Sequence, residues 1–398
     1  MPSFFIRSLS IRSLMFVFAI TLALNSPRAE ASALLDQKAQ ALQTLTGAPG
    51  IAVAVFSTND FDQGAAGVRK LDSTALMTGN EQFHLGSNLK AMTAITIATM
   101  VEAGQLTWNA KLRDLLPEQA ASMRPEYLDK TLLDLLTHKA GVVGVLDLPA
   151  ILALPSFSGN PRQQRAEFTA WALTQTPDIA PGADAQYSNG GLTIAASIAE
   201  RVANQSYEAL LSAKVLNPLA IPARFIWPAT GPAATALTQP WGHVRDKGQW
   251  IPNDPNAPEN QFPQFLNPAG NISMTLPEYA RTVRLHLRGL RGECTANPAQ
   301  IVSNQTFHFL NTPQSSLLLS PAWFVSNVAG EPTSFFNGSA GTFFIAVAIQ
   351  PRLNKAVVVA INAVEESVAF ETAVSDMVLG LLELPATSLF DSGFESCR

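Results

Sequence analysis

The stretch FHLGSNLKAMTA, residues 83–94, opens a predicted helix with a serine and places a lysine three residues later. Helical residues three apart lie on one face, so the Ser87 hydroxyl and the Lys90 amine are expected to meet. The neighbouring positions are apolar, which predicts a buried helix: Leu85, Leu89, Met92, Ile95 and Ile97. A lysine in such a helix either extends its stem along the surface to reach water or belongs to a site.

The composition predicts a large folded protein that does not bind nucleic acid. Of the 398 residues, 47% are hydrophobic and 14% are charged, which is ample for a core and too little charge for a disordered chain. A net charge of −5 without a basic block gives no electrostatic footprint for DNA or RNA. Cys294 and Cys397 lack the spacing of a metal site, and the sequence leaves open whether they form a disulfide. The oligomeric state is also left open.

An uninterrupted apolar run lies near the N-terminus, at residues 14–24, and follows two arginines. Its 11 residues are fewer than the roughly 20 that a membrane-spanning helix needs. With Ala29 and Ala31 placed for cleavage, residues 1–31 have the pattern of a secretory signal peptide. We therefore expect a periplasmic or secreted protein, with no membrane-spanning segment after cleavage.

Strand patterns occur towards both ends of the chain, and helical patterns occur between them. The predicted strands cover residues 51–56, 65–70, 341–350 and 355–363, and the predicted helices cover 31–45, 368–384 and much of 87–212. This order predicts an α/β (α+β) fold, in which an antiparallel sheet from both chain ends is flanked by helices and a mostly helical region is inserted. No repeat or linker divides the chain.

The predicted organisation is one domain over residues 32–385 between the signal peptide and a surface tail at 386–398. Its sheet part is expected at about 32–86 and 330–385, and the helical and irregular insertion at about 87–329.

The chemistry of a serine beside a buried lysine points to nucleophilic catalysis. Amides at a helix start point outwards and can stabilise an oxyanion, which suits a nucleophile at Ser87. Burial lowers the pKa of an amine until it accepts a proton, which suits a base at Lys90. The alternative is a helix-cap serine followed by a surface lysine.

A second motif is PGADAQYSNGG, which precedes another predicted helix. Tyr187 could relay a proton there, and the carboxamide of Asn189 could orient a carbonyl or a lysine. The alternative is an ordinary turn with an asparagine helix cap.

A third motif is FFNGSAGTFFIAV, in which small residues are expected to open a strand. Gly338, Ser339 and Gly341 would permit the close approach of another group. The alternative is a turn with no further role.

In this order, Ser-x-x-Lys, Tyr-x-Asn and a glycine-bearing strand resemble the serine β-lactamase and penicillin-binding protein superfamily. The class C β-lactamase-like group is the most similar branch, and it also contains D,D-peptidases, D-aminopeptidases and esterases. The resemblance runs from about Leu34 to Leu384 and includes further segments: TLLDLLTHKAGV, NPAGNISMTLPEYAR and the helix after Tyr187.

This resemblance implies a role for each motif residue. Ser87 would be the acylated nucleophile and Lys90 its general base. Tyr187 would pass the proton to the leaving group, and Asn189 would contact the acyl carbonyl or amide of the substrate. The backbone amides of Ser87 and Ser339 would form the oxyanion hole. Such a mechanism needs no metal or organic cofactor, and the partner would be a small-molecule or short-peptide substrate.

One position departs from the family pattern. Where the family has lysine or histidine, then a small residue and glycine, this chain has Phe336, Asn337 and Gly338. The missing cation makes an uncharged ester or amide the expected substrate, with β-lactams and D-peptides as the alternative. An arginine from elsewhere in the fold could supply the cation, or the alignment could be displaced by one residue.

Two other classes of protein were considered. A non-catalytic, penicillin-binding-like sensor would keep the fold and acylate slowly, which Phe336 favours and the intact Ser87 and Lys90 oppose. A Ser-His-Asp hydrolase is disfavoured because the chain has no G-x-S-x-G motif. The histidines show no pairing pattern: His84, His138, His243, His286 and His308.

Overall fold

A six-stranded antiparallel sheet, with strand order β2-β1-β10-β9-β8-β7, is the centre of the fold. The computed structural model describes residues 27–180, 182–293 and 300–384. The strands are β1 Gly50–Phe56, β2 Phe61–Gly67, β3 Gln82–His84, β4 Gly242–Asp246, β5 Gln249–Asn253, β6 Ser273–Thr275, β7 Phe324–Val328, β8 Glu331–Ser339, β9 Phe344–Gln350 and β10 Lys355–Ile361. The predicted fold class, with a sheet from both chain ends, is confirmed.

Helices cover both faces of this sheet and fill the region between its two halves. In chain order they are α1 Pro27–Thr46, α2 Leu89–Glu102, α3 Leu112–Leu115, α4 Pro125–Leu128, α5 Leu132–Leu136, α6 Leu148–Leu152, α7 Pro161–Ala172, α8 Asn189–Ala203, α9 Tyr207–Leu211, α10 Pro232–Thr235, α11 Asn267–Gly270, α12 Leu276–Arg291, α13 Asn304–Leu310 and α14 Val368–Leu382.

The three strands β1, β9 and β10 are buried along their whole length, because both faces of the sheet are covered. Helices α1 and α14 contribute Leu35, Leu42 and Phe370 to the core on one face. Helices α2 and α12 contribute Met92 and Val283 to the core on the other face. The continuous apolar runs in the sequence therefore mark strands without a solvent-facing side.

A second hydrophobic core lies within the helical region. Helix α2 faces it through Ile97, while Leu135 of α5, Phe168 of α7 and Leu192 of α8 complete it. Because α2 packs on both cores, eleven of its fourteen residues are buried. This double packing fixes α2, which carries Lys90, between the sheet and the helical region.

Strand β2 differs from its predicted position. It runs over Phe61–Gly67 rather than residues 65–70. Its sequence, FDQGAAG, has low strand propensity because of its glycines and alanines. Gly64 is needed there, since a Cβ would lie 2.3 Å from the backbone of Leu35 in α1. Close packing against the helix therefore overrides the local preference.

The third sequence motif also lies differently from the prediction. Gly338 and Ser339 end β8 instead of opening a strand, and Gly341 lies in the turn that leads to β9. Gly341 has a φ of +95°, which side chains strongly disfavour. The turn therefore requires the glycine at position 341, whereas Gly338 allows the close approach of Leu85, from which a Cβ would lie 2.2 Å.

Several predictions concern residues outside the described ranges. The predicted signal peptide lies outside them up to residue 26, as do the tail at 386–398, Cys294 and Cys397. Within 27–180, 182–293 and 300–384, no helix has the length and hydropathy that a membrane span requires.

Candidate active site

Ser87 lies in a tight turn, Gly86–Asn88, immediately before α2. Gly86 has a φ of +51°, and a Cβ there would lie 2.5 Å from the amide nitrogen of Ser339. A Cβ on Gly338 would lie 2.2 Å from the carbonyl oxygen of Leu85. Two glycines therefore let the end of β8 contact the serine turn backbone to backbone. This packing brings the Ser339 amide beside the turn that carries Ser87.

Lys90 lies one turn further along and is almost fully buried, at 2% exposure. Its Nζ lies 2.9 Å from Ser87 Oγ, 2.8 Å from Asn189 Oδ1 and 2.6 Å from the carbonyl oxygen of Ala269. Burial holds the pKa of Lys90 well below its usual value. A neutral amine has two N–H bonds, which the two carbonyl oxygens accept. In its neutral form, Lys90 therefore has its lone pair free to accept the proton of Ser87 Oγ, 2.9 Å away.

Tyr187 is half-buried beside this pair. Its ring centroid lies 5.0 Å from Lys90 Nζ and 4.5 Å from the centroid of the His138 ring. Burial raises the pKa of Tyr187, and a hydrogen bond with Ser87 opposes this only in part. The phenol is therefore neutral over the ordinary pH range, and it can donate one hydrogen bond while accepting another, as a proton relay requires.

His138 holds the loop that carries Tyr187. Its carbonyl oxygen accepts a hydrogen bond from the Gln186 amide at 2.9 Å, and its Nδ1 accepts one from the Ser188 amide at 3.0 Å. Burial is the main cause that lowers the pKa of His138 to about 3. A neutral His138 with Nδ1 occupied positions the residues on either side of Tyr187. No local sequence pattern indicates this function for His138.

Asn189 is the first residue of α8 and is fixed by the segment before α6. Its amide N–H donates to the Gly144 carbonyl and its Nδ2 donates to the Val145 carbonyl, each at 2.8 Å. These bonds direct Oδ1 at Lys90. The carboxamide thus orients the lysine, which is one of the two roles that the sequence left open.

Phe336 lies on β8, three residues before Ser339. It is buried, at 4% exposure, and its ring centroid lies 5.3 Å from that of Phe324 and 6.4 Å from that of Tyr187. Asn337, the next residue, is exposed. The wall beside Tyr187 is therefore aromatic at the position where the family pattern has a cation.

The described structure offers no arginine in place of that cation. Each arginine from Arg69 to Arg352 donates to, or forms an ion pair with, a group outside the candidate site. These arginines are Arg69, Arg113, Arg124, Arg162, Arg165, Arg201, Arg224, Arg245, Arg281, Arg284, Arg288, Arg291 and Arg352. Lys139, next to His138, donates to the carbonyl oxygen of Gln314 at 3.2 Å.

The histidines that the sequence raised as alternative bases have other partners. His84 Nδ1 accepts the Gly86 amide at 3.3 Å, and its Nε2 lies 3.0 Å from Asn271 Oδ1. Burial lowers the pKa of His84 to about 4. His286 Nδ1 accepts a hydrogen bond from Trp323 Nε1, and burial lowers its pKa to about 3. In the described residues, Lys90 is the basic group placed at Ser87.

Comparisons with known proteins give one consistent result. A family model described as Beta-lactamase matches residues 35–378. Penicillin-binding protein 4 of Amycolatopsis lactamdurans is 25% identical over 252 residues, 63% of this chain and 63% of that protein. A beta-lactamase of Yersinia enterocolitica is 26% identical over 197 residues, 50% of this chain and 46% of that protein. The chain thus spans about half to two thirds of the length of these curated relatives.

A solved structure supports the same fold. A class C beta-lactamase superposes with a TM-score of 0.69 over 91% of this chain and 98% of its own, at 18% sequence identity.

Proposed function

The chain belongs to the beta-lactamase family, and on that premise we propose that it is a serine hydrolase that forms an acyl-enzyme on Ser87 and acts on small neutral esters or amides. The observation that carries this proposal is the buried Lys90 amine, 2.9 Å from Ser87 Oγ and held there by two carbonyl oxygens. A serine hydroxyl is a weak nucleophile until a neighbouring base accepts its proton, and a desolvated lysine is such a base.

The proposed reaction proceeds in two halves. Lys90 accepts the hydroxyl proton as Ser87 Oγ bonds to the substrate's carbonyl carbon. The amides of Ser87 and Ser339 donate to the oxygen that becomes negative. The bond to the leaving group then breaks, and Tyr187 passes the proton to the departing oxygen or nitrogen. Water, activated by the same groups, releases the acid from Ser87.

The proposed substrate class rests on charge. Phe336 is aromatic where the family pattern has a cation, and Lys90 Nζ is already enclosed by Ser87, Asn189 and the Ala269 carbonyl. A carboxylate brought beside Phe336 would lose hydration without gaining a partner. A neutral acyl ester has no such penalty and can pack on the ring. Hydrolysis of β-lactams or D-peptides is therefore the second candidate, favoured only by the names of the relatives.

The Phe336 position should determine the substrate class. For the unaltered enzyme, kcat/KM for p-nitrophenyl butyrate should exceed that for a chromogenic cephalosporin. Phe336→His should narrow this ratio about tenfold by improving the cephalosporin, because hydrogen bonds to charged groups are worth about 1.5–3 kcal/mol. Steady-state kinetics with both substrates measures the ratio.

A matched control is Phe335→His, since neighbouring strand residues point to opposite faces. That variant should leave the ratio unchanged. Cephalosporin hydrolysis by the unaltered enzyme that surpasses its ester activity would refute the neutral-ester proposal and favour the β-lactamase alternative. Acylation without turnover of any ester would instead favour the sensor alternative.

We also propose that the protein is exported, on the basis of the arginines, the short apolar run and the Ala29 and Ala31 pair. The native protein should then begin near Ser32. N-terminal sequencing of protein purified from its source measures this, and a sequence beginning at Pro2 would contradict it.

A further inference from the structure

Exposed leucines are concentrated beside the candidate site. Thirteen large apolar side chains are exposed in the described residues, and five of them fall in two short segments. We call these five residues the leucine rim: Leu146, Leu148, Leu152, Leu317 and Leu318. Scattered exposed leucines need no explanation, but several exposed leucines on segments that are bonded to a site can provide a surface for an apolar group.

The first rim segment continues directly from the residue that fixes Asn189. Val145, whose carbonyl accepts from Asn189 Nδ2, is buried and has a φ of +49°, which is rare for a β-branched residue. Leu146 follows it, and the Cα of Leu148 lies within about 11 Å of the Val145 Cα because consecutive Cα atoms are about 3.8 Å apart. Val145 thus connects the candidate site to the first rim segment.

Helix α6 presents its leucines to solvent although the helix itself is anchored. Asp147 caps its first turn by accepting the Ala150 amide at 2.8 Å. Ile151 packs against the helical core, whereas Leu148 and Leu152 remain exposed, Leu152 at 74%. The apolar side chains are therefore fixed in place without being used in the fold.

The second rim segment is tied to the loop that carries Tyr187. The Ser316 amide donates to Asp184 Oδ2 at 2.9 Å, and Asp184 is three residues before Tyr187. The Leu318 carbonyl accepts the Val325 amide at 2.9 Å, next to Phe324, which packs on Phe336. Leu317 and Leu318 thus border the loop of Tyr187 and the aromatic wall of the site.

We propose that the leucine rim binds an alkyl chain of the substrate, so that the enzyme favours esters carrying medium-length chains over acetate esters. This proposal rests on the proposed ester hydrolysis. The first segment begins at the residue whose carbonyl binds Asn189, and the second is bonded to the loop of Tyr187, so both extend from residues that hold the site. The chain could belong to the acyl group or to the alcohol, and both carry the same apolar chemistry.

The experiment compares kcat/KM for p-nitrophenyl acetate and octanoate, and for ethyl and octyl acetate, below micelle-forming concentrations. If half of each added methylene is covered, each should raise kcat/KM about twofold, and six of them about 50-fold. The acyl and alcohol series show which part of the substrate occupies the rim. The rim variant Leu146→Ser/Leu148→Ser/Leu152→Ser should reduce the preference below about fivefold and leave acetate hydrolysis within about twofold.

A matched control changes three equally exposed leucines elsewhere: Leu45→Ser, Leu76→Ser and Leu353→Ser. Leu45 belongs to α1. Leu353 lies in the turn between β9 and β10, and this turn is at the other end of the sheet from Ser339. This variant should keep the full chain preference. A rim variant that hydrolyses acetate and keeps the preference would overturn the rim proposal alone. Absence of acetate hydrolysis in the unaltered enzyme would overturn the proposed ester hydrolysis, on which the rim proposal rests.

Discussion

Replacing Ser87 with alanine should reduce ester hydrolysis on the order of 10⁵-fold, because no other hydroxyl among the described residues has a lysine amine within hydrogen-bond distance. The same change should abolish labelling by a fluorophosphonate, which requires an activated nucleophile. Intact-mass spectrometry should find one adduct on the unaltered protein, and peptide mapping should place it on Ser87. The loss of ester hydrolysis is measured as kcat/KM for p-nitrophenyl butyrate.

Ser206 offers a matched control for this change. It also starts a helix, and its Oγ accepts the Ala209 amide at 3.2 Å, but the third residue after it is alanine rather than lysine. Ser206→Ala should cost about 1 kcal/mol of stability through the lost cap and leave labelling intact. An adduct that persists on the Ser87→Ala protein would refute the assignment of the nucleophile.

Lys90→Ala and Tyr187→Phe should each reduce kcat about 10³-fold, and the double variant should be little slower than either. The physical reason is that both residues transfer the same proton from Ser87 to the leaving group. Once one of them is removed, this transfer no longer occurs, so removing the other has little further effect on kcat. A double-mutant cycle on kcat measures this. Losses that simply multiply would count against a shared path.

The pH dependence provides a second readout of the same proton path. Catalysis requires the neutral form of Lys90, so the rate should rise with pH through the lowered pKa of that amine and then stay level, because burial raises the pKa of Tyr187. Asn189→Asp would place a carboxylate 2.8 Å from the amine and favour its charged form. The rising limb should then move to higher pH. A limb that stays where it was would mean that another group controls the rate.

The parts of the site that could be predicted from sequence are local. Ser87 and Lys90 meet because helical residues three apart share a face, and the apolar residues around Lys90 correctly indicate its burial. The strands β9 and β10 were recognisable because buried strands are continuous runs of apolar residues. Short-range rules are sufficient for each of these.

The parts that sequence reasoning missed depend on distant or unusual backbone. The Ala269 carbonyl on Lys90 comes from a residue 179 positions along the chain, which no local pattern reveals. His138 and Val145 hold the Tyr187 and Asn189 segment with φ angles of +60° and +49°, conformations that propensity argues against. Strand β2 was displaced because tight packing at Gly64 has no signal in strand propensity.

The position of β10 between β1 and β9 also determines when the sheet can form. Ile51 pairs with Ile361, more than 300 residues later in the chain. The strands on either side of β10 therefore cannot be joined until almost all of the chain has been synthesised. Pairings this distant in sequence slow folding, because the connecting loop must close before the contacts form. A nascent chain truncated ahead of Lys355 can pair β1 with β2, and it can pair β8 with both β7 and β9, but it cannot join these two parts of the sheet. The six-stranded sheet is therefore completed only late in synthesis.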